Sequence, residues 1–281
     1  MTFKTLMIGA TAIALATSFA VTPAAAAGQT ADQRIAALES ELAGLRKLAT
    51  SAQDRARVEN LFSQYMYLHN AFRDTDIIPL WAKKGTPDVR AQYSNLGVYT
   101  QWDKIMSYHQ GRPAPRGKLV SHFVTTPMIE IAGDGQTAKG LWIVNGIESG
   151  LADPEHAKGM PDWMFEKEMV NGKKVWMHNV YLKYGVDFIK QDGEWKIWHF
   201  HCFEVARAPY GIGWIPFAAA AQDDAFNFDL MYIGDDGKPV FMPPVDGPAT
   251  VLNNTYRTDS SQKLEARPPE PFQTFSETFV Y

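Results

Sequence analysis

Four long stretches after Gly117 alternate apolar and polar side chains, and this constrains the fold more than any other feature of the chain. Lys118–Ala132, Thr137–Ser149, Lys174–Lys190 and Glu194–Ala206 each keep a period of two. That period places alternate side chains on opposite faces and predicts strands. Gly133-Asp134-Gly135 and Asp192-Gly193 supply tight turns, so two of the strand pairs are expected to be hairpins. The remaining connection, 150–173, is long and carries Met160, Trp163, Met164 and Phe165. A loop of that kind is read either as a lid or interface or as a segment packed on its own sheet.

Before Gly117 the period is helical. Val58, Leu61, Phe62, Tyr65, His69 and Phe72 fall on one face by i, i+3, i+4 spacing. A second short helix is predicted over Asp76–Lys83 with Trp81 inward, ended by Gly85-Thr86-Pro87. Val89–Asn95 reads as a strand, and Asp103–His109 as a helix stopped by Gly111-Arg112-Pro113-Ala114-Pro115. Helices followed by an antiparallel meander make an α+β fold. The predicted body is 54–206.

Both ends carry additions. Lys4, the uncharged run Leu6–Val21 and Ala25-Ala26-Ala27 have the layout of a secretory signal peptide over 1–27. The expected destination is a bacterial periplasm, and no membrane span is expected once the leader is removed. Residues 28–53 form a helical arm in which Ile35, Leu38, Leu42, Leu45 and Ala49 step by three and four as a short heptad seam. The arm is expected either to pack on the body or to pair between subunits of a homo-oligomer. Residues 207–281 are rich in aromatic residues and proline, including Pro243-Pro244 and Pro268-Pro269. This extension is expected to wrap the body or a neighbour and to close a pocket mouth.

Composition narrows the partners. A net charge of −4 leaves no basic surplus for phosphates, so no nucleic acid is expected. Glycine-rich loops that open a helix after a strand are missing, so no nucleotide or flavin cofactor is assigned. Cys202, the single cysteine, lies in an aromatic run and reads as a buried inert thiol. His199-x-His201 with His122 or His178 offers imidazoles for zinc, but local spacing fixes no third ligand and no metal is assigned.

On the last strand Trp195, Ile197, His199, His201 and Phe203 share one face by alternation. Val120, His122, Val124 and Thr126 share one on the first long strand, and Trp176, His178, Val180, Leu182 and Tyr184 on the third. Alternation alone does not decide which face is concave.

Residues 54–206 resemble the SnoaL-like branch of the nuclear transport factor 2-like superfamily. The resemblance rests on the helix with Tyr65 and His69, Asp76-Ile-Ile-Pro-Leu-Trp81, Gly97-Val-Tyr99 and Ile105-Met-Ser-Tyr108. It continues through the His122 strand to Ile129-Glu-Ile131, and ends on Asp187-Phe188 and Asp192-Gly-Glu-Trp-Lys-Ile197. It implies a cone-shaped, curved antiparallel sheet around the N-terminal helices, enclosing a pocket. It implies His122, His199 and Tyr184 as pocket-lining, joined by His69 and Tyr65, as the candidate catalytic set. His178, His201, Phe72, Tyr99 and Trp142 are the candidate substrate contacts, Trp142 being read equally as core. Catalytic relatives often carry an acid near the position of His69 or Asn70. None is present here; Asp74 or Asp76 is read either as its substitute or as a cap of the second helix. The aromatic, proline-rich tail is similar to that of the lignin-dimer formaldehyde lyases. That likeness implies a cofactor-independent lyase on an aromatic small molecule, releasing formaldehyde from a phenolic dimer to leave a stilbene. A dehydratase or isomerase of polyketide or steroid-like compounds, and a non-catalytic binder, are the alternatives.

Overall fold

The computed structural model describes residues 28–109, 117–155, 157–158, 160, 162–220, 230–233, 239–252 and 254–276. The expected signal peptide over 1–27 and the Gly111–Pro115 loop lie outside the described residues. The chain divides into two compact units at Ala49/Thr50. The boundary falls inside a single helix, α1 (Ala31–Asn70), so the arm and the opening helix of the body are one element. Thr30 and Gln33 begin it reciprocally: the Gln33 amide donates to Thr30 Oγ1 (3.3 Å) and the Thr30 amide to Gln33 Oε1 (2.9 Å). This is a capping box. In the first unit every described residue up to Ala49 is exposed.

In the second unit α1 buries Asp54, Val58, Phe62, Tyr65, Met66 and His69. A 3₁₀ helix follows at Asp74–Leu80, then β1 (Arg90–Tyr93), β2 (Val98–Tyr99) and α2 (Trp102–Ser107). The long strands are β3 (Leu119–Ile131) and β4 (Thr137–Ala152), then, past a two-residue β5 (Met169–Val170), β6 (Lys173–Gln191) and β7 (Glu194–Pro209). After them come α3 (Trp214–Ala220), β8 (Leu230–Ile233) and β9 (Pro239–Phe241). The main sheet has the order β2-β1-β7-β6-β4-β3, with β5 on β6. It is antiparallel except where β1 runs parallel to β7. The architecture is therefore α+β, a curved, unclosed sheet around the helical entry. The four expected long strands are present to within a few residues, while the expected helix at 76–83 is a 3₁₀ turn that starts at Asp74.

Side chains fix the helix to the sheet at both ends. Asp54, buried, accepts from Trp195 Nε1 (3.0 Å) and Lys190 Nζ (2.7 Å) on the β6–β7 hairpin. Asn70 pairs with the backbone of β3: its Nδ2 donates to His122 O and its Oδ1 accepts from the His122 amide, both at 2.9 Å. Between them Phe62 lies 4.2 Å from the ring of Trp142.

The described part of the C-terminal extension is bonded to the body. Gly247 bridges Val98, and Val251 O accepts from Gln92. The Tyr256 amide donates to Val205 O, and the amides of Gly133 and Asp134 donate to Phe272 and Gln273. These backbone bonds anchor a segment that has little regular structure of its own.

Asp54→Ala leaves the Lys190 ammonium and the Trp195 indole without their acceptor. It is expected to cost about 2–3 kcal/mol of unfolding free energy in urea titration. A loss within error of zero would mean that the helix is held by packing alone.

Candidate active site

Three β-bulges decide which side chains meet inside the sheet. In β7, Ile197 and His199 pair with the adjacent residues Phe188 and Asp187, so Trp198 is the extra residue. Val205 is extra in the same way, between Glu204 and Ala206. Each extra residue reverses the alternation. The concave face of β7 is consequently Trp195, Ile197, Phe200, Cys202, Glu204 and Arg207. In β3 the extra residue falls between Thr125 and Met128, where Thr126 takes φ 50° beside Pro127.

A cavity of about 150 Å³ lies on this face, against the C-terminal end of the body part of α1. Its wall includes Tyr65 and His69 from α1, Tyr93 and Tyr108, and Val120 and His122 from β3. Glu148 comes from β4, Trp176, His178, Leu182 and Tyr184 from β6, and Phe200, Cys202, Glu204 and Arg207 from β7. The half-buried lining residues Leu96, Tyr108, Lys118, Trp163 and Met242 mark its reach toward solvent.

Two histidines on this wall are backed by carboxylates. His69 Nδ1 lies 3.0 Å from Asp74 Oδ1, both side chains being buried. With Nδ1–H donating to Asp74, Nε2 is the basic nitrogen. The helix end makes this contact possible. The Phe72 amide bonds His69 O and the Arg73 amide bonds Leu68 O, with Phe72 at φ 54°. This left-handed cap turns the chain back so that Asp74 arrives beneath the imidazole. His109 Nδ1 is 3.6 Å from the same Asp74 oxygen. Asp74 thus backs the His69 imidazole from the start of the 3₁₀ helix.

His122 Nε2 lies 3.1 Å from Glu148 Oε1, and Arg207 Nη1 donates to Glu148 Oε2 at 2.8 Å. Arg207 Nε also donates to both oxygens of Glu204, at 3.2 and 3.1 Å. Burial pushes the Glu148 carboxyl up, but Arg207 and His122 outweigh it and hold it well below the usual range. At Glu204 burial wins over the attraction of Arg207, with Glu148 adding repulsion, and the carboxyl is raised. One guanidinium thus separates an ionised carboxylate from a carboxyl driven toward its acid form. Gly146 makes room for the His122 ring: a Cβ there would lie 2.3 Å from His122 Cδ2 and 2.9 Å from Ser121 O. His69 and His122 sit with ring centroids 5.7 Å apart.

Tyr184, Cys202 and His178 are held in their uncharged forms. Burial first, then neighbouring Cys202 and tyrosines, hold the Tyr184 phenol well above its ordinary value. Burial likewise drives the Cys202 thiol far up, leaving it no thiolate character. Burial and then Arg207 push His178 down to about 4. Its Nε2 is 2.9 Å from Met164 O, so the neutral ring donates to the backbone of the 150–173 connection.

Of the ten candidate residues, the structure brings His69, His122, Tyr65, Tyr184 and His178 together in the cavity wall. Five lie elsewhere. His199 and His201 are on the opposite face, because the Trp198 bulge reverses the strand: His199 Nδ1 is 2.9 Å from Asp187 and His201 stacks on Phe203 at 3.6 Å. A zinc set joining them to His122 or His178 would have to cross the sheet, and no cluster of three or more metal-ligating groups exists among the described residues. Trp142 is core, packed on Phe62. Tyr99 is buried with its hydroxyl donating to Pro243 O at 2.8 Å. Phe72 is half-buried at the helix cap, its ring beside Lys118. The reading by alternation missed Asp74, Glu148, Glu204 and Arg207. A larger cavity of about 690 Å³ lies on the opposite face, under residues 254–265, and no histidine lines it.

The model of the SnoaL-like domain family matches residues 50–201. The chain belongs to this family. No curated protein matches the chain. Similar solved structures include a candidate scytalone dehydratase from Novosphingobium aromaticivorans, 16% identical, with a TM-score of 0.43 over 58% of this chain and 91% of that one. A type 2 hexachlorocyclohexane dehydrochlorinase (LinA) is 14% identical, with a TM-score of 0.42 over 57% of this chain and 91% of that one. LinA-type3 from Novosphingobium barchaimii is 16% identical, with a TM-score of 0.41 over 60% of this chain and 98% of that one. The matched span of the SnoaL-like domain stops at His201, short of Glu204 and Arg207.

Burial lowers His178 to about 4 and His201 to about 3. In the unfolded chain both titrate near 6.5. From pH 6.5 down to about 4 the unfolded chain takes up protons that the native protein refuses, so stability falls as pH drops through this window. Each histidine contributes a slope of about 1.4 kcal/mol per pH unit there. Urea midpoints measured across the window should show it, and His201→Gln should flatten it.

Proposed function

We propose that the chain is a cofactor-independent lyase acting by acid–base chemistry on an oxygenated aromatic small molecule. The observation that carries this reading is the Asp74-backed His69 facing a cavity that also holds two carboxyls of opposite tendency, Glu148 and Glu204, on one arginine. Paired groups driven apart in this way supply a base and an acid at the same pH. The phenols of Tyr65 and Tyr184 suit the orientation of substrate oxygens.

The finer proposal is release of formaldehyde from a phenolic dimer bearing a hydroxymethyl group. Glu204 gives its proton to the departing benzylic oxygen, which leaves as water while the phenolic O–H gives up its proton to solvent, and a quinone methide remains. His69 then takes the proton of the hydroxymethyl oxygen. The C–C bond breaks, formaldehyde leaves, and the electron pair flows into the quinone methide, giving a stilbene phenolate. His69 returns its proton to the phenolate oxygen, and solvent reprotonates Glu204. The diol is converted to stilbene, formaldehyde and water, with no net redox change. One ring fits the cavity, since about 150 Å³ takes a benzene ring. The second ring would lie toward Leu96, Trp163 and Met242.

Phenolic lignin dimers incubated with the purified protein should yield formaldehyde together with stilbene absorbance. His69→Gln should lower kcat by about 10²–10⁴-fold with the fold intact, the range of a lost general base. Loss of water alone, without formaldehyde, would instead support a dehydratase on the same groups. No turnover of any oxygenated aromatic, with binding retained, would leave a ligand-binding domain and overturn the enzymatic reading.

Gly146→Ala tests the second pair. The added methyl displaces the His122 ring from Glu148. If that pair orients the substrate, KM should rise while kcat changes less, and Gly146→Ser should behave the same way. Unaltered kinetics in both would remove His122 from the site.

A further inference from the structure

The first unit of the chain is built as a specific pairing surface. Ile35, Leu38, Leu42 and Leu45 lie on one side of α1 and are 54%, 62%, 47% and 57% exposed. They take the a, d, a and d positions of two heptads, with Ala49 and Ala52 continuing the seam. The helix beneath them is firmly begun by the Thr30–Gln33 capping box and runs unbroken into the buried part of α1. The seam therefore needs no nucleation of its own, which is the main obstacle for so short a helix.

The flanking charges choose the occupant. Arg34 and Glu41 fall at g, and Glu39 and Arg46 at e. In a parallel pair each g residue meets the e residue of the next heptad in the other chain. That sets Arg34 against Glu39 and Glu41 against Arg46, attractive both times. In the antiparallel alignment that keeps the same layers, Ile35 against Leu45 and Leu38 against Leu42, the central flanking contacts are Glu39 with Glu39 and Glu41 with Glu41. Those are repulsive. Over 31–49 the acids Asp32, Glu39 and Glu41 balance Arg34, Arg46 and Lys47. The helix thus lacks the basic face that would hold it on an anionic lipid surface. Ile at the first a position and Leu at d suit two strands rather than three or four.

We propose that residues 31–53 bind the same segment of a second copy as a parallel two-stranded coiled coil. The inference is independent of the catalytic reading.

Sedimentation equilibrium of the full chain tests it. Leu38→Asp with Leu45→Asp should halve the mass of the wild-type assembly and leave the far-ultraviolet spectrum of the body unchanged. Arg34→Glu with Arg46→Glu makes all four flanking positions acidic, and Glu39→Arg with Glu41→Arg makes them basic. Each double variant should lose self-association, and mixing the two should restore it as a one-to-one complex. Ala49→Cys should cross-link to its own copy on oxidation, which requires parallel strands. A wild-type mass equal to that of the Leu38/Leu45 variant overturns the proposal. So does undiminished self-association of both charge variants, or an Ala49→Cys protein that associates but does not cross-link.

Discussion

A single unpaired residue, Trp198, governs the chemistry of the cavity. Without it Phe200, Cys202 and Glu204 would lie on the outer face and His199 and His201 would point inward. The bulge needs support, because an extra residue interrupts the ladder and must be held out of register. The Trp198 indole donates to Pro87 O at 2.9 Å and its ring stacks on His199 at 4.0 Å. The Val205 bulge is held differently: its carbonyl, turned out of the ladder, accepts from Tyr256 in the C-terminal extension at 2.6 Å. The extension thus helps to fix the register that brings Arg207 inward, and among its described residues beyond β7 Met242 reaches the cavity wall.

Arg207 is the electrostatic centre of the resulting site. A half-buried guanidinium between two carboxylates would be costly if its donors were unmatched. Here Glu148 and Glu204 take the fork from two directions, and Glu148 passes the effect on to His122. The arrangement splits two chemically similar acids by geometry alone: Glu148 has both Arg207 and His122, while Glu204 has Arg207 against its own burial and the charge of Glu148. The His69–Asp74 pair stands on the helical entry, with the His69 ring 5.7 Å from that of His122. The cavity therefore brings two carboxylate-backed imidazoles side by side.

Much of this was legible in the chain and some of it was not, for identifiable reasons. The four long strands and the helical face with Tyr65 and His69 follow from side-chain periodicity, which burial imposes directly. Tyr184 and His178 were readable because β6 has no bulge of its own and keeps one parity from Trp176 to Phe188. His199 and His201 were misplaced because alternation was carried across Trp198, where nothing in the local residue types announces the extra residue. For Asp74 the sequence leaves substitute acid and cap both open, because it shows an acid before a short helix but not the left-handed turn at Phe72 that aims it at His69. Glu148, Glu204 and Arg207 sit in strands 59 residues apart at the extremes, a pairing that only the sheet register supplies. Trp142 shows the opposite limit: its size marked it as core or ring platform, and Gly140, with the indole 2.3 Å from where its Cβ would be, explains why it lies flat in the core.

The connection 150–173 packs on the sheet beside the cavity. Its described apolar residues form a small cluster of their own, with Ala157, Met160, Met164 and Phe165 packed on Trp176. Trp163 also reaches Phe217 of α3 at 5.5 Å. His178 on β6 ties the segment to the cavity wall through Met164 O, and His178 stays neutral because burial and Arg207 both oppose its protonation. A neutral ring presents one donor and one acceptor. The donor is spent on Met164, which leaves Nδ1 with no hydrogen-bond partner among the described residues. The residue that holds the connection in place, His178, is thus also part of the cavity wall.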